Sequence, residues 1–306
     1  MIRRLFFCCM TLLLAFVHQA AAQVYQAPTG QVELFSGASL GYADTNWMRL
    51  YDVQINATPG VRWHLGKEWT VAAQGLIPVV SKGYSFRDIH YKYNRLNMAV
   101  VSKQLHFEEA KQHLRLSAGW FSEERYGADV RWMWPATRWL LLRAQAGLTA
   151  YWMLGSDFMG RSEAEMGKDF KFTGTVGANV YLRPWDVEVR ASGGRYVAGD
   201  YGAQLDVMRH FKHCTLLMFA QLRLGDRTPS VWDGYTHRTN GGFQVIVMLP
   251  PYNKSQKKLV VRPASNVRLL NNVRGDLQSM LMYKTDPEEN DRELMIDVDW
   301  GERNGE

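Results

Sequence analysis

Cysteine is scarce. The 306 residues hold three, and Cys8 and Cys9 both lie in the first ten, which leaves Cys214 alone in the remainder. A framework of internal disulfides is therefore excluded, and with it the small stapled secreted domain. There is no apolar run of the length a membrane-crossing helix requires: the best stretch, 139–154, is interrupted by Arg143 and Gln145. Although the formal charge is +6, no Lys/Arg cluster interleaved with aromatics is present, so nucleic acid is not an expected partner. No histidine sits beside a nucleophile motif such as G-x-S-x-G, and there is no phosphate-cradling glycine loop and no set of ligands at metal spacing. His210, His213 and Cys214 in "HFKHC" come closest to a metal group, and they read more simply as the polar rim of a hairpin turn. The expectation is a non-enzyme without cofactor.

What the chain has is alternation. It opens with "MIRRLFFCCMTLLLAFVHQAAAQ": a basic start, an apolar run from Leu5 to Val17 and small residues at 20–22. This pattern predicts a cleaved secretory signal over 1–22. In 51–65, Tyr51, Val53, Ile55, Ala57, Val61, Trp63 and Leu65 share one side. Asp52, Gln54, Asn56, Thr58, Arg62 and His64 share the other. Successive side chains on a strand point to opposite faces, so this is one long strand with an oily face and a wet face. Pro59 cannot donate to a ladder and predicts a bulge, bend or break. The same pattern recurs at 31–42, 68–77, 93–105, 113–121, 126–134, 139–152, 169–183, 186–192, 201–210, 214–224 and 242–249. Most of these segments are near the ~9–11 residues a tilted strand needs to cross a bilayer.

Connections alternate too. Long ones follow 77, 154 and 224, all of the same parity, and short turns fall between them, as on the two rims of an outer-membrane barrel. Trp120, Trp132, Trp134, Trp139, Trp152 and Trp185 lie near strand ends, where interfacial aromatic girdles belong. The predicted fold is all-β: an antiparallel transmembrane β-barrel of about twelve strands (range 10–14) over 23–251, with its oily face on outer-membrane lipid. Residues 252–306 change character, first basic and then acidic. They read as a periplasmic or plug-like tail, in which Ser265 caps a short amphipathic helix, and which is available to periplasmic export partners.

The wet face supplies the candidate lumen-lining residues: Asp52, Gln54, Asn56, Arg62, His64, Arg95, Asn97, Glu188, Arg190, Gln204 and Asp206, with Arg115 beside them. Mixed charges and amides suit either a sealed lumen or one that binds hydroxylated or anionic polymers.

The stretch "GGRYVAGDYGAQLDVMRHF" (193–211) carries a denser pattern: Gly194, Arg195, Tyr196, Ala198, Gly199, Asp200, Gly202 and Ala203, then Arg209 and Phe211. Together with "CTLLMFAQLRL" and "GGFQVIVMLPP", it resembles the YjbH-type outer-membrane proteins associated with exopolysaccharide loci of Gram-negative bacteria. The likeness covers about the last third of the chain; the N-terminal half matches in pattern only. It implies an outer-membrane barrel that takes part in secretion or assembly of an extracellular polysaccharide, without catalytic residues. Two other readings stay open: a general porin or small-solute channel, and a soluble exported β-sandwich that binds carbohydrate. In the motif itself, glycines answer first to backbone geometry, so Gly194, Arg195, Tyr196, Gly199, Asp200 and Gly202 are expected to form a tight loop.

Overall fold

The computed structural model describes residues 28–43, 52–66, 68–83, 92–107, 109–137, 139–197, 199–211, 213–224, 239–249, 257–272 and 282–287. The expected signal segment 1–22 lies outside them. The described residues are nearly all strand and form one sheet of fourteen strands. In chain order these are β1 (Val32–Ala43), β2 (Asp52–His64), β3 (Trp69–Lys82), β4 (Asn94–Phe107), β5 (Gln112–Phe121), β6 (Arg125–Pro135), β7 (Leu140–Ser156), β8 (Ser162–Met166), β9 (Lys171–Leu182), β10 (Val187–Arg195), β11 (Tyr201–His210), β12 (Cys214–Leu224), β13 (Thr239–Met248) and β14 (Leu259–Asn272). A 3-10 turn, Arg183–Trp185, joins β9 to β10. The twelve segments expected from alternation are β1–β7 and β9–β13.

Two strands depart from expectation. β8 is a short hairpin partner of β7 inside what reads as a long loop. β14 falls within the expected tail, where the spacing of Val267, Leu270, Val273, Leu277 and Met280/Leu281 suggested a helix; the part of that helix over 273–281 lies outside the described residues. Instead, 259–272 lie between β1 and β13. Those two strands would otherwise leave unpaired edges, and satisfying both ladders outweighs a helical spacing that fits only a few apolar residues. The tail boundary therefore moves beyond β14.

Hydrogen-bonded neighbours follow the order β6-β5-β4-β3-β2-β1-β14-β13-β12-β11-β10-β9-β7-β8, and β6 also pairs with β7. All pairs are antiparallel except β1 with β14, which run parallel. An even count of about twelve strands would bring both ends of the sheet out at one rim, and the structure corrects this. β1 starts at the rim with the short turns, whereas β14 ends at the opposite one. The short-turn rim holds the connections 65–68, 108–111, 136–139, 183–186 and 211–213. Pro59 does not break β2. Pairing with β3 lapses between Ala57↔Ile77 and Gly60↔Gln74, and the strand runs on.

The two faces are unequal in an unusual sense. On β2, Asp52, Gln54 and Asn56 are buried, while Val61 and Trp63, and Leu65 just after the strand, are 36–48% exposed. On β11, Asp206 is buried and Leu205 and Val207 are exposed. Leu116, Val130, Leu148, Val176, Leu216 and Met218 repeat the exposed apolar face. At the short-turn rim, Trp63, Trp69, Phe107, Trp139, Trp185 and Phe211 are exposed on that face. Trp152 is the exception among the girdle candidates. It is 4% exposed and its Nε1 donates to the carbonyl of Arg125 at 2.6 Å, so it is a packing residue. In 93–105, alternation sets Leu96, Met98 and Val100 on the oily side against Arg95, Asn97 and Ala99, yet Met98 and Val100 are buried within. A register shift beside Asn97 puts one extra residue into β4, which brings Arg95, Asn97, Met98 and Val100 to the same side.

Candidate functional site

The inner face, defined by its buried polar side chains, is the candidate site. All eleven expected lining residues fall there. Asp52, Gln54, Asn56, Glu188, Arg190 and Asp206 are buried. Arg62, His64, Arg95, Asn97 and Gln204 are half-buried. They form local groups, not one constellation. Asn97 donates to Gln74 at 2.7 Å and Asn56 to Ser39 at 3.2 Å, and Arg95 lies 3.8 Å from Glu124.

Around β9–β13 the strands satisfy one another. Glu188, fully buried, accepts from Arg190 Nε at 2.6 Å and Asn179 Nδ2 at 2.9 Å; its other oxygen is 2.9 Å from His210 Nε2. His210 Nδ1 meets Thr215 at 3.2 Å. That engagement, and the free, half-buried Cys214, fit the hairpin reading of "HFKHC". Asn240, Gln221, Gln204 and Asp206 form a ladder of side-chain hydrogen bonds at 2.6–3.0 Å. Among the described residues, no group of three or more His, Cys, Asp or Glu side chains is placed to hold a metal.

The other side of the inner face is completed by residues from outside the sheet. Residues 282–287 cross it, running from the long-connection rim toward the short-turn rim. Near the first rim, Lys284 N donates to Ser122 Oγ at 2.8 Å, and Ser122 N donates to the carbonyl of Lys284 at 3.2 Å. Tyr283 is 1% exposed and stacks on Phe121 with ring centroids 5.0 Å apart. Its hydroxyl donates to Asp129 at 2.8 Å and meets Thr173 at 3.2 Å. Asp129 also accepts from Gln145 at 2.9 Å and Arg131 at 3.3 Å. The tyrosine has room because β7 carries Gly147: a Cβ there would sit 1.7 Å from the hydroxyl. Arg131 Nη2 donates to the carbonyl of Tyr283 at 3.2 Å, and Arg115 Nη2 to that of Thr285 at 2.8 Å. At the lower end, Asp286 is held by Arg62 through Oδ1 and by Arg115 through Oδ2, the latter at 3.3 Å. Arg62 also pairs with Glu33, which takes Arg262 and His64 as well.

The motif loop sits beside this segment. Tyr196 N donates to the carbonyl of Asp200 at 2.8 Å and Gly199 N to that of Tyr196 at 2.9 Å. Gly199 has φ +89°, a conformation that glycine adopts without strain. Arg195 lies 5.9 Å from the Tyr201 ring centre. Val197 turns inward, joins Met98, Val100, Phe121 and Tyr283 in one apolar cluster, and gives its carbonyl to Arg125 at 2.9 Å. Through Val197 the loop packs over the Tyr283 end of the segment.

Asp129 and Arg131 escaped the sequence reading, although they alternate with Val130 and Trp132 and were legible on that ground. Tyr283 and Asp286 had no such signal, because a short segment docked across a sheet has no period. No family model matches this chain, and neither a curated protein nor a solved structure matches it.

Proposed function

We propose that this chain is an outer-membrane β-barrel, closed by the β6–β7 and β1–β14 pairings and occupied by residues 282–287, with a non-catalytic part in secreting or assembling an extracellular polysaccharide. The observation that carries the barrel reading is the inversion of burial. Asp52, Gln54 and Asn56 are buried while Val61 and Trp63 on the same strand are exposed. In water this arrangement is unfavourable twice over, since apolar area stays wet and polar groups are desolvated. In a bilayer it is what a barrel requires: apolar residues on lipid, polar residues in the lumen, aromatic girdles at the interfaces. Thirteen strands make the ring, with β8 an extension of β7, so the first and last meet in parallel. Bacterial barrels usually have even numbers of strands, but odd closure is known elsewhere. The short turns would face the periplasm.

The polysaccharide role is supported by the 193–211 resemblance, and by a lining of amides and paired charges suited to hydroxylated polymers. An open porin is disfavoured by the segment that crosses the inner face. A soluble sandwich is disfavoured by its exposed apolar face. Among the described residues no helix is long and apolar enough to cross a membrane, which says nothing of crossing by strands.

The test is in two parts. Membrane fractionation with electrophoresis before and after boiling should place the protein in the outer membrane and show a heat-dependent shift. Deleting its gene should then lower cell-surface polysaccharide. A periplasmic protein with no shift would sink the barrel; unchanged polysaccharide would sink the role.

A further inference from the structure

The inner face has an imbalance that the sheet does not correct. Arg62, Arg115, Arg131 and Arg262 lie in or beside the site. The strand carboxylates paired with them are Glu33, with Arg62 and Arg262, and Asp129, with Arg131. Among the described residues, the one carboxylate paired with Arg115 is Asp286, which the sheet does not contain. Arg115 is 9% exposed, and its Nε has no hydrogen-bond partner. A buried guanidinium without an anion is strongly unfavourable; Asp129 on β6 also acts on Arg115, but the carboxylate in direct contact with it is Asp286, which the strands do not supply.

From this we infer that Arg62 and Arg115 form a carboxylate-binding site for a uronic-acid-bearing polysaccharide, and that Asp286 occupies it as an internal stand-in. Two guanidiniums from two strands take one oxygen each of a single carboxylate, and arginine's planar fork suits that group. Neutral hydroxyl groups are close by. Ser117, two residues along β5 on the same face, meets Ser102 at 3.0 Å. A hydroxylated ring bearing a carboxylate matches this mixture better than a neutral sugar, which would leave Arg115 uncompensated. Asp286 is tethered to the barrel by the same chain, so it competes at high effective concentration. The incoming polymer must displace it, and with it the segment that obstructs the lumen.

The inference rests on the polysaccharide reading above, and the experiment separates the two. The full chain in detergent micelles is titrated with trigalacturonate, maltotriose and tri-aspartate by calorimetry. Asp286→Asn removes the competing charge and should tighten trigalacturonate binding by about tenfold or more, with maltotriose unaffected. Adding Arg115→Gln to that variant should abolish the gain. If Asp286→Asn loses the heat-dependent shift, Tyr283→Ala loosens the segment from its other end and should show the same gain. Equal affinity in wild type and in the folded variant, a gain that survives Arg115→Gln, or tri-aspartate binding as tightly as trigalacturonate would each overturn the site. Binding as expected in a strain whose surface polysaccharide survives gene deletion would keep the site and sink the export role. A polysaccharide defect without trigalacturonate binding would do the reverse.

Discussion

The two halves of the inner face solve one problem in different ways. Around β9–β13, every charge named here has its partner on the same or a neighbouring strand: Glu188 with Arg190 and His210, Asp206 with Gln204. Around β2, β5 and β6, the arginines reach for groups that arrive from beyond the sheet: Asp286 and the carbonyls of Tyr283 and Thr285. The first arrangement is scaffold, because nothing needs to be added to it. The second is complete only while 282–287 stay in place.

The largest expected effect lies in the self-sufficient half. Glu188→Ala leaves Arg190, 2% exposed, with its buried charge uncompensated. It should cost about 3–5 kcal/mol, read from the urea midpoint of protein refolded into vesicles. If the loss were under ~1 kcal/mol, the scaffold reading of this half would fail. In the borrowing half, Gly147→Ala forces a methyl group against the Tyr283 hydroxyl. Overpacking of this kind costs about 1–3 kcal/mol, here drawn from docking of the segment. Trypsin should then cut after Lys284 much faster than in wild type, while the sheet unfolds at nearly the same midpoint. Tyr283→Phe is gentler, removing only the hydroxyl from Asp129 and Thr173, for about 1–2 kcal/mol. It should raise Lys284 cleavage less than Gly147→Ala does. The smallest effect belongs to Lys103 and Glu68, 3.8 Å apart at the exposed short-turn rim. Lys103→Ala should shift the midpoint by less than ~0.5 kcal/mol, and a larger change would mean that rim charges matter as much as inner ones.

Legibility in the sequence followed range. Alternation is local, so twelve strands and the inward-facing set from Asp52 to Asp206 could be read directly. Met98 and Val100 were placed on the wrong side because one bulged residue reverses the face of all that follows it, and alternation alone does not reveal a bulge. Trp152 was misread as a girdle residue because position near a strand end does not report what packs over it. β14 was missed because its reason for being a strand is the pair of open edges on β1 and β13, not a pattern of its own. The segment at 282–287 was expected only as a plug-like tail. Its grip depends on Gly147, Asp129, Arg62 and Arg115, four positions on four strands that only the fold brings together.

The parallel pairing of β1 with β14 also sets a timetable. The two strands come from opposite ends of the chain, and contacts of such long range form slowly and late. β1 keeps a bare edge until nearly the whole chain has emerged, and residues 282–287 follow even later. A bare edge of this kind is a template for unwanted strand pairing for as long as it stays open. The strand that covers this edge and the segment that crosses the inner face are thus both supplied late in the chain.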